Sequence, residues 1–468
     1  MRNRMNQGGV VAGLLMTLAF LAGTAMPAIG AETVDLSGVP QLKETSKQRD
    51  ERMKWWRDAK YGMFVHWGPC SLTGKDLSWS RGGDKPWDIK GVQNTHKMDP
   101  VYDNLYKRFD PVKFNADEFV KIAEDAGMKY MVLICKHHDG FSMFDTKLSE
   151  HSIAYTPYKK DIIKQFADAC HKRGMKLGLY YSTRDWYHPD YLVGDNKKYD
   201  AFYRGQVEEL LTNYGKVDVM WFDHVGGRDW GKWRFDELFS MMYRLQPHLI
   251  VNSRAAAFCG PVSREDRRPT PEILKATRGD FGTPEQSIGA MDLRNDWESC
   301  MTLVGGIWSY CPGGRMYSFE QTAGMVVECA AGGGNLLMNI GPMPTGQIEE
   351  RQVKLLKQVG EWIKPRSEAI YGTRGGPFAK AKWGMSTHRG DTVYLFIRQW
   401  EGDKFRFNRL PTKVLEAKKL VGGDVVAVTE SGSKTELTLA ANKRDPVFTV
   451  IELKLEKGTP DGLQIRAN

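Results

Sequence analysis

Apolar strands and amphipathic helices alternate along most of this chain. Short apolar runs typical of buried strands occur at 61–65, 130–135, 176–181, 217–222, 249–252 and 335–340. Segments with helical periodicity, several of them closed by glycine, occur at 115–126, 161–173, 200–214, 235–245, 322–331 and 350–363. Strands that alternate with helices favour a parallel sheet, so the pattern predicts an α/β fold, either a barrel or a doubly wound sheet.

Polar and aromatic side chains stand where these strands end, namely His66, His137, His138, Asp139, Tyr180, Tyr181, Asp223 and Arg254. In a (β/α)8 barrel the carboxyl ends of all strands meet at one face, where catalytic groups collect. We therefore predict a (β/α)8-like barrel over residues 32–372, with these side chains converging at its mouth. After Tyr371 the segments become short and β-branched or alternating, which predicts a C-terminal antiparallel β-sandwich over 373–468.

The first 31 residues have the pattern of an export signal. A positive start is followed by an apolar stretch at 10–25 and by small residues near Ala31. The stretch is short for a membrane span and rich in Ala and Gly; a retained anchor is the alternative. We expect a cleaved signal peptide at 1–31, no stable membrane insertion afterwards, and a periplasmic or extracellular protein. The seven Cys residues include no CxxC pair and are odd in number, so a disulfide framework is weakly supported.

Composition excludes some classes of function. The net charge of +9 is spread over the whole chain without a basic block, so we expect no nucleic-acid partner. The glycines at 332–334 precede a strand and are not followed by Lys-Ser/Thr, so they indicate a tight turn rather than a phosphate loop. We expect no cofactor. The 14 Trp residues serve large cores or the aromatic platforms of sugar sites.

A carboxylate at the end of strand 217–222, Asp223, is the main catalytic candidate. Two carboxylates suffice to cleave a glycosidic bond, one as nucleophile and the other as acid and then base. Candidates for the second are Glu285 and Glu298, both in a region that we expect to form loops over the pocket. Hydrogen-bond donors such as Arg254 would keep the nucleophile ionised, whereas the acid needs partial desolvation.

Each candidate also has a structural interpretation. Asp223 could be a turn residue, Arg254 part of a surface ion pair, Glu285 a neighbour of a helix cap and Glu298 part of a structural salt bridge. The adjacent histidines at 137 and 138 could bind a metal. However, they point different ways from a strand end and lack HxH or HExxH spacing, so we expect sugar-hydroxyl binding and no metal.

Seven motifs follow one another across about residues 50–375. They are FVHWG at 64–68, KYMVLICKHHDGFSMFDT at 129–146, KLGLYYSTRDWYHPDY at 176–191, VDVMWFD at 217–223, GDFGTPEQ at 279–286, WESCMT at 297–302 and GGGNLLMNIGPMPTG at 332–346. With these motifs the chain resembles the α-L-fucosidases of glycoside hydrolase family 29. The ordered set is highly specific. The C-terminal sandwich matches the family's layout as well.

The resemblance implies a retaining exo-α-L-fucosidase that acts on fucosylated oligosaccharides or polysaccharides. By motif position, Asp223 would be the nucleophile and Glu285 the acid/base, with Glu298 as the fallback. The fucose pocket would be lined by His66, His137, His138, Tyr180, Trp221, Arg254 and Trp308.

Two segments depart from the family pattern. Many members carry Glu-Trp-Tyr in the loop after the first strand, where this chain reads Leu77-Ser78-Trp79-Ser80-Arg81. The usual WGYN is replaced by Trp308-Ser309-Tyr310-Cys311. Alternatives to the fucosidase are therefore a glycosidase for a related 6-deoxy or galacto-configured sugar, or for a decorated fucose whose sulfate or other anion meets Arg81. A third alternative is a non-catalytic glycan-binding relative.

Overall fold

The computed structural model describes residues 44–81, 99–223, 233–255 and 279–465. The predicted signal peptide at 1–31 lies outside these ranges. Seven parallel strands form one sheet in the order β5-β4-β3-β2-β1-β7-β6. Their bounds are β1 Tyr61–Val65, β2 Tyr130–Lys136, β3 Lys176–Ser182, β4 Val219–Asp223, β5 Ile250–Val251, β6 Glu298–Thr302 and β7 Asn335–Ile340.

A short segment at 281–285 closes this sheet into a ring. It forms parallel bridges to both of the edge strands, Asn252 with Phe281 on one side, and Gly282 with Trp297 and Glu285 with Cys300 on the other. The segment thus takes the place of an eighth strand between β5 and β6. The predicted (β/α)8-like fold is confirmed.

Helices cover the outside of the ring. They are α1 Ser46–Ala59, α2 Ala116–Asp125, α3 Ile162–Arg173, α4 Lys197–Asn213, α5 Phe235–Leu245, α6 Phe319–Ala331 and α7 Glu350–Ile363. Helix α6 begins three residues before the predicted start at 322. The reason is a capping box, in which Ser318 and Gln321 each accept the other's backbone N–H. No helix in the described ranges has the length and apolar character needed to cross a bilayer.

Side chains alternate between the two faces of each barrel strand. One set packs against the helices, while the interior set includes Phe64, Val132, Tyr180, Trp221 and Leu337. Residues two positions beyond an interior residue emerge on the same face at the carboxyl end of the strand. His66 follows Phe64 in this way, and Asp223 follows Trp221.

The C-terminal region is antiparallel, as predicted. Strands β8 Arg374–Gly375, β9 Gly384–Arg389, β10 Thr392–Ile397, β12 Val414–Lys419 and β15 Thr449–Leu455 form one sheet, and β11 Lys404–Asn408, β13 Ala427–Ser431 and β14 Lys434–Thr438 form a second. Buried apolar side chains from both sheets, among them Leu395, Phe407 and Leu437, make a separate core. The domain boundary between 372 and 373 stays a prediction.

Candidate active site

One pocket at the carboxyl end of the barrel strands holds all nine predicted site residues. The space within it and at its open mouth totals about 330 Å³. Its lining consists of Phe64, His66, Trp79, His137, His138, Tyr180, Trp221, Asp223, Arg254, Glu285, Cys300 and Trp308. Parallel strands explain this convergence, since residues far apart in the chain end at the same face.

Asp223, the last residue of β4, lies in the pocket with only 8% of its surface exposed. Oδ2 accepts the hydroxyl hydrogen of Tyr180 at 2.9 Å. Oδ1 accepts from Nη1 of Arg254, also at 2.9 Å. The β3–β4 register, which pairs Tyr180 with Trp221 and Ser182 with Asp223, sets the first contact. Two donors on separate elements therefore fix and stabilise the ionised carboxylate.

Arg254 joins the two candidate carboxylates. While Nη1 bonds to Asp223, Nη2 donates to Oε2 of Glu285 at 3.0 Å. Thr283 orients the guanidinium by accepting from Nε at 2.7 Å through its hydroxyl and from Nη2 at 3.0 Å through its carbonyl. Burial opposes the charge, but the Asp223 and Glu285 carboxylates raise the pKa of Arg254 above its ordinary value. The surface-ion-pair interpretation of Arg254 is wrong.

Glu285 is held on the barrel wall. Its bridge to Cys300, with the bond from Gln286 N–H to the Cys300 carbonyl at 3.0 Å, fixes the backbone around it. The Glu285 side chain is 28% exposed and that of Asp223 is 12% exposed. Of the two carboxylates, Glu285 is therefore the one with more access to solvent and to a leaving group. Glu285 was expected on a loop over the pocket; it does line the pocket, but from the bridged segment that completes the ring.

Glu298 does not reach the pocket. It begins strand β6 and lies in the barrel interior at 1% exposure. Its oxygens accept the indole N–H of Trp221 at 3.1 Å and the hydroxyl hydrogen of Tyr130. Burial raises the pKa of Glu298 to about 7. The expectation that Glu298 lies on a loop over the pocket was wrong; it supports the floor under Trp221.

Two histidines have a defined tautomer. Asn339 donates Nδ2–H to the Trp308 carbonyl at 2.6 Å, so its Oδ1 faces Nδ1 of His66 at 2.6 Å and accepts from it. Burial lowers the pKa of His66 to about 3, which keeps the ring neutral. Its Nε2 therefore carries no proton and can accept a hydroxyl hydrogen.

His138 has the same arrangement. Its Nδ1 lies 2.6 Å from Oγ of Ser182, and that hydroxyl donates onward to the Arg184 carbonyl at 3.1 Å. The serine oxygen therefore accepts from Nδ1–H, which leaves Nε2 on the other side of the ring for other partners.

His137 completes a possible metal-binding group in the described residues. One potential ligand atom each from His137, His138 and Asp223 lie within 4.8 Å of one another. Both Asp223 oxygens already accept hydrogen bonds, and the guanidinium 2.9 Å away opposes a second cation. The group therefore suits a hydroxyl-rich ligand better than a metal, and the absence of a metal stays a prediction.

Three residues proposed from the sequence lie elsewhere. Tyr181 faces the helices and donates to Gln206 at 2.8 Å. Asp139 accepts from Tyr102 at 2.8 Å outside the pocket. Arg81 forms an ion pair with Asp103 at 2.6 Å in which both side chains are buried. The structure therefore does not support an anion-binding role for Arg81.

Sequence reasoning missed several members of the site. Phe64 could have been found from strand alternation, since it stands two residues before His66. Trp79, whose role was left open, places its ring 5.1 Å from that of His138. Asn339 could have been found as a polar residue at the carboxyl end of the predicted strand 335–340, whereas Cys300 lies in a strand that the sequence analysis did not predict.

The family model described as alpha-L-fucosidase matches residues 33–368. The chain belongs to the alpha-L-fucosidase family. It is 29% identical over 395 residues to the human plasma alpha-L-fucosidase, covering 79% of this chain and 81% of that one. It is 28% identical to a putative alpha-L-fucosidase of Caenorhabditis elegans, covering 86% and 90%. Among solved structures, alpha-L-fucosidase isoenzyme 1 of Paenibacillus thiaminolyticus matches with a TM-score of 0.76 and 31% identity, covering 87% of this chain and all of that one.

Proposed function

We propose that this protein is a retaining, exo-acting α-L-fucosidase that removes terminal α-L-fucosyl residues from glycans. The observation that carries the proposal is the single guanidinium of Arg254 bonded to both Asp223 and Glu285 inside the pocket. The bonds hold two carboxylates of unequal exposure close together, as a retaining mechanism needs. The identity of the sugar, fucose, is inferred from membership of the alpha-L-fucosidase family.

Asp223 is the nucleophile in this proposal. One of its oxygens attacks the anomeric carbon as the bond from that carbon to the glycosidic oxygen breaks. Glu285 in its acid form gives its proton to the departing oxygen. Glu285 then takes a proton from water, whose oxygen displaces Asp223 and releases fucose. Both carboxyl groups return to their starting protonation states.

The remaining lining residues bind and orient the sugar. The unprotonated Nε2 of His66 accepts from a sugar hydroxyl, and Nε2 of His138 makes a second contact with the sugar; together they select a hydroxyl pattern. The indole faces of Trp308 and Trp79 pack against C–H bonds and the C5 methyl group. The space in the pocket and at its open mouth totals about 330 Å³, and we expect it to take one terminal sugar ring.

We propose further that the protein is exported, with fucosylated oligosaccharides or polysaccharides outside the cytoplasm as substrates. The support is the signal-peptide pattern at 1–31. The test is expression of the full chain followed by cell fractionation and determination of the mature N-terminus. A cytoplasmic protein that retains Met1 would refute export.

The catalytic proposal is tested with 4-nitrophenyl α-L-fucoside. Wild type should release nitrophenol, and Asp223→Gly should lose at least about a thousandfold in kcat/KM, because the nucleophile is absent. Added azide should restore turnover of Asp223→Gly and yield β-L-fucosyl azide. A folded wild-type protein inactive on fucosides across linkages and pH, but active on another aryl glycoside, would favour the related-sugar alternative. Activity on none of them would favour a glycan-binding relative.

A further inference from the structure

Two loops at the pocket rim are fastened to one another. The first comprises residues 74–79 and ends at Trp79; the second comprises residues 307–310 and contains Trp308. Oδ1 of Asp76 accepts the backbone N–H groups of Trp308 at 2.7 Å and of Ser309 at 3.3 Å. In return, Ser309 Oγ donates to the Lys75 carbonyl at 2.9 Å and accepts the Leu77 N–H at 3.2 Å. We call these four hydrogen bonds the rim clasp.

The clasp is built tightly. Ser309 is 1% exposed, and a Cβ added at Gly341 would lie 2.3 Å from the Ser309 carbonyl carbon, so the second loop packs directly against the backbone after β7. The backbone of Leu77 has a φ of 30°, in a region that residues other than glycine rarely adopt. A strained residue of this kind persists only where its surroundings over-determine it, and such residues cluster at functional sites.

Both loops connect the clasp to the sugar pocket. The Trp308 carbonyl accepts from Asn339, which orients His66, and the Trp308 ring lies 4.7 Å from the His66 ring. On the first loop, Ser78 lies one residue before Trp79, and its Oγ is 2.5 Å from Nδ1 of His137. The two indole walls and two of the histidines are therefore placed by segments that the clasp joins.

We propose that Asp76 and Ser309 are positioning residues that hold Trp79 and Trp308 at a fixed separation and thereby determine how tightly the pocket binds the fucosyl group. The inference rests on the proposed function. Neither residue lines the pocket or reaches the reacting atoms, so the clasp acts on substrate binding and leaves the bond-breaking step to Asp223 and Glu285. Leu77 and Ser309, one from each segment that departs from the family pattern, both take part in the clasp.

The test is steady-state kinetics with 4-nitrophenyl α-L-fucoside on Asp76→Ala, Asp76→Asn and Ser309→Ala. Asp76→Ala removes the acceptor of two buried N–H groups and should raise KM about tenfold, with kcat within about threefold. Ser309→Ala should raise KM by about threefold to tenfold. Asp76→Asn keeps an acceptor oxygen and should stay within about twofold of wild type in KM. The matched control is Thr73→Ala, which removes the bond from Thr73 Oγ1 to the Cys70 carbonyl and the bond from the Lys75 N–H to Thr73 Oγ1. It leaves all four hydrogen bonds of the rim clasp in place and should leave KM unchanged.

A second measurement separates this inference from the proposed function. Binding of L-fucose, followed by tryptophan fluorescence, should weaken in Asp76→Ala and Ser309→Ala in proportion to KM. A wild type that neither hydrolyses the fucoside nor binds L-fucose would refute the proposed function itself. An active wild type would leave the proposed function standing. In that case two results would overturn the inference. One is a wild-type KM in both alanine variants, even where their Tm is lowered. The other is a KM of Asp76→Asn that is raised as much as that of Asp76→Ala. If Asp76→Ala does not fold, Ser309→Ala decides in the same way.

Discussion

Trp221 donates its indole N–H to Glu298 at 3.1 Å, directly beneath the pocket that holds Asp223. Trp221 and Asp223 share a face of β4, and the guanidinium of Arg254 lies 4.9 Å over the Trp221 ring. The guanidinium of Arg254, the indole of Trp221 and the carboxyl group of Glu298 thus lie one below the other and form the floor of the site. Glu298 supports it from below, whereas Glu285 faces the pocket.

The two candidate acids should separate in kinetics. Glu285→Ala should lower kcat/KM for a poor leaving group by about a hundredfold to ten thousandfold. The reason is that, among the described residues, the pocket lining holds one other carboxyl group, Asp223, and that group acts as the nucleophile. Glu298→Gln should keep activity within about tenfold of wild type, since it alters only the support of Trp221. The measurement is kcat/KM on aryl fucosides of graded leaving-group pKa. A larger loss in Glu298→Gln than in Glu285→Ala would reverse the assignment.

Glu298 should also make stability depend on pH. Burial raises its pKa from 4.5 to about 7, so the folded state retains the proton over this range while the unfolded chain releases it. The stabilisation is complete below about pH 4.5 and is lost as pH rises through about 7, a difference on the order of 3 kcal/mol. Calorimetric Tm of wild type should fall across this window relative to that of Glu298→Gln. Parallel Tm profiles of the two proteins would contradict this.

Tyr180→Phe should weaken the nucleophile without removing it. The change deletes the 2.9 Å hydrogen bond to Oδ2 of Asp223 and leaves the bond from Arg254 in place. Bonds to charged groups contribute about 1.5–3 kcal/mol, so we expect kcat/KM to fall about tenfold to a hundredfold. Tyr181→Phe, one residue away but facing α4, is the matched control and should keep wild-type kinetics. Equal losses in both variants would indicate a general packing defect.

Arg81 should matter for stability and not for substrate charge. Its ion pair with Asp103 is buried, and loss of one partner leaves an uncompensated charge, so Arg81→Met should cost about 3–5 kcal/mol. The double variant Arg81→Met/Asp103→Leu should recover part of the lost Tm. Wild type should show no preference for a sulfated over an unsulfated aryl fucoside. Higher kcat/KM on the sulfated substrate, abolished by Arg81→Met, would restore the anion-binding alternative.

Much of the fold followed from local patterns. Apolar runs of strand length, helices with caps and glycine stops, and polar residues after each strand specify a parallel barrel, because each signal depends only on near neighbours in the chain. The closing segment at 281–285 was missed because such signals depend only on near neighbours, whereas this segment is defined by contacts with distant ones. Its pairing is made of single bridges to Asn252 and to β6, and it has no apolar run of its own.

The sequence by itself determined six of the seven strands of the parallel sheet, the placement of Asp223 at the end of one of them and the family motifs. Only the tertiary structure decided which of Glu285 and Glu298 faces the pocket and that Arg81 is committed to Asp103. The physical reason is that the chemistry of a carboxylate or guanidinium is set by its partners and its burial. Those come from segments tens to hundreds of residues away, which no local pattern encodes.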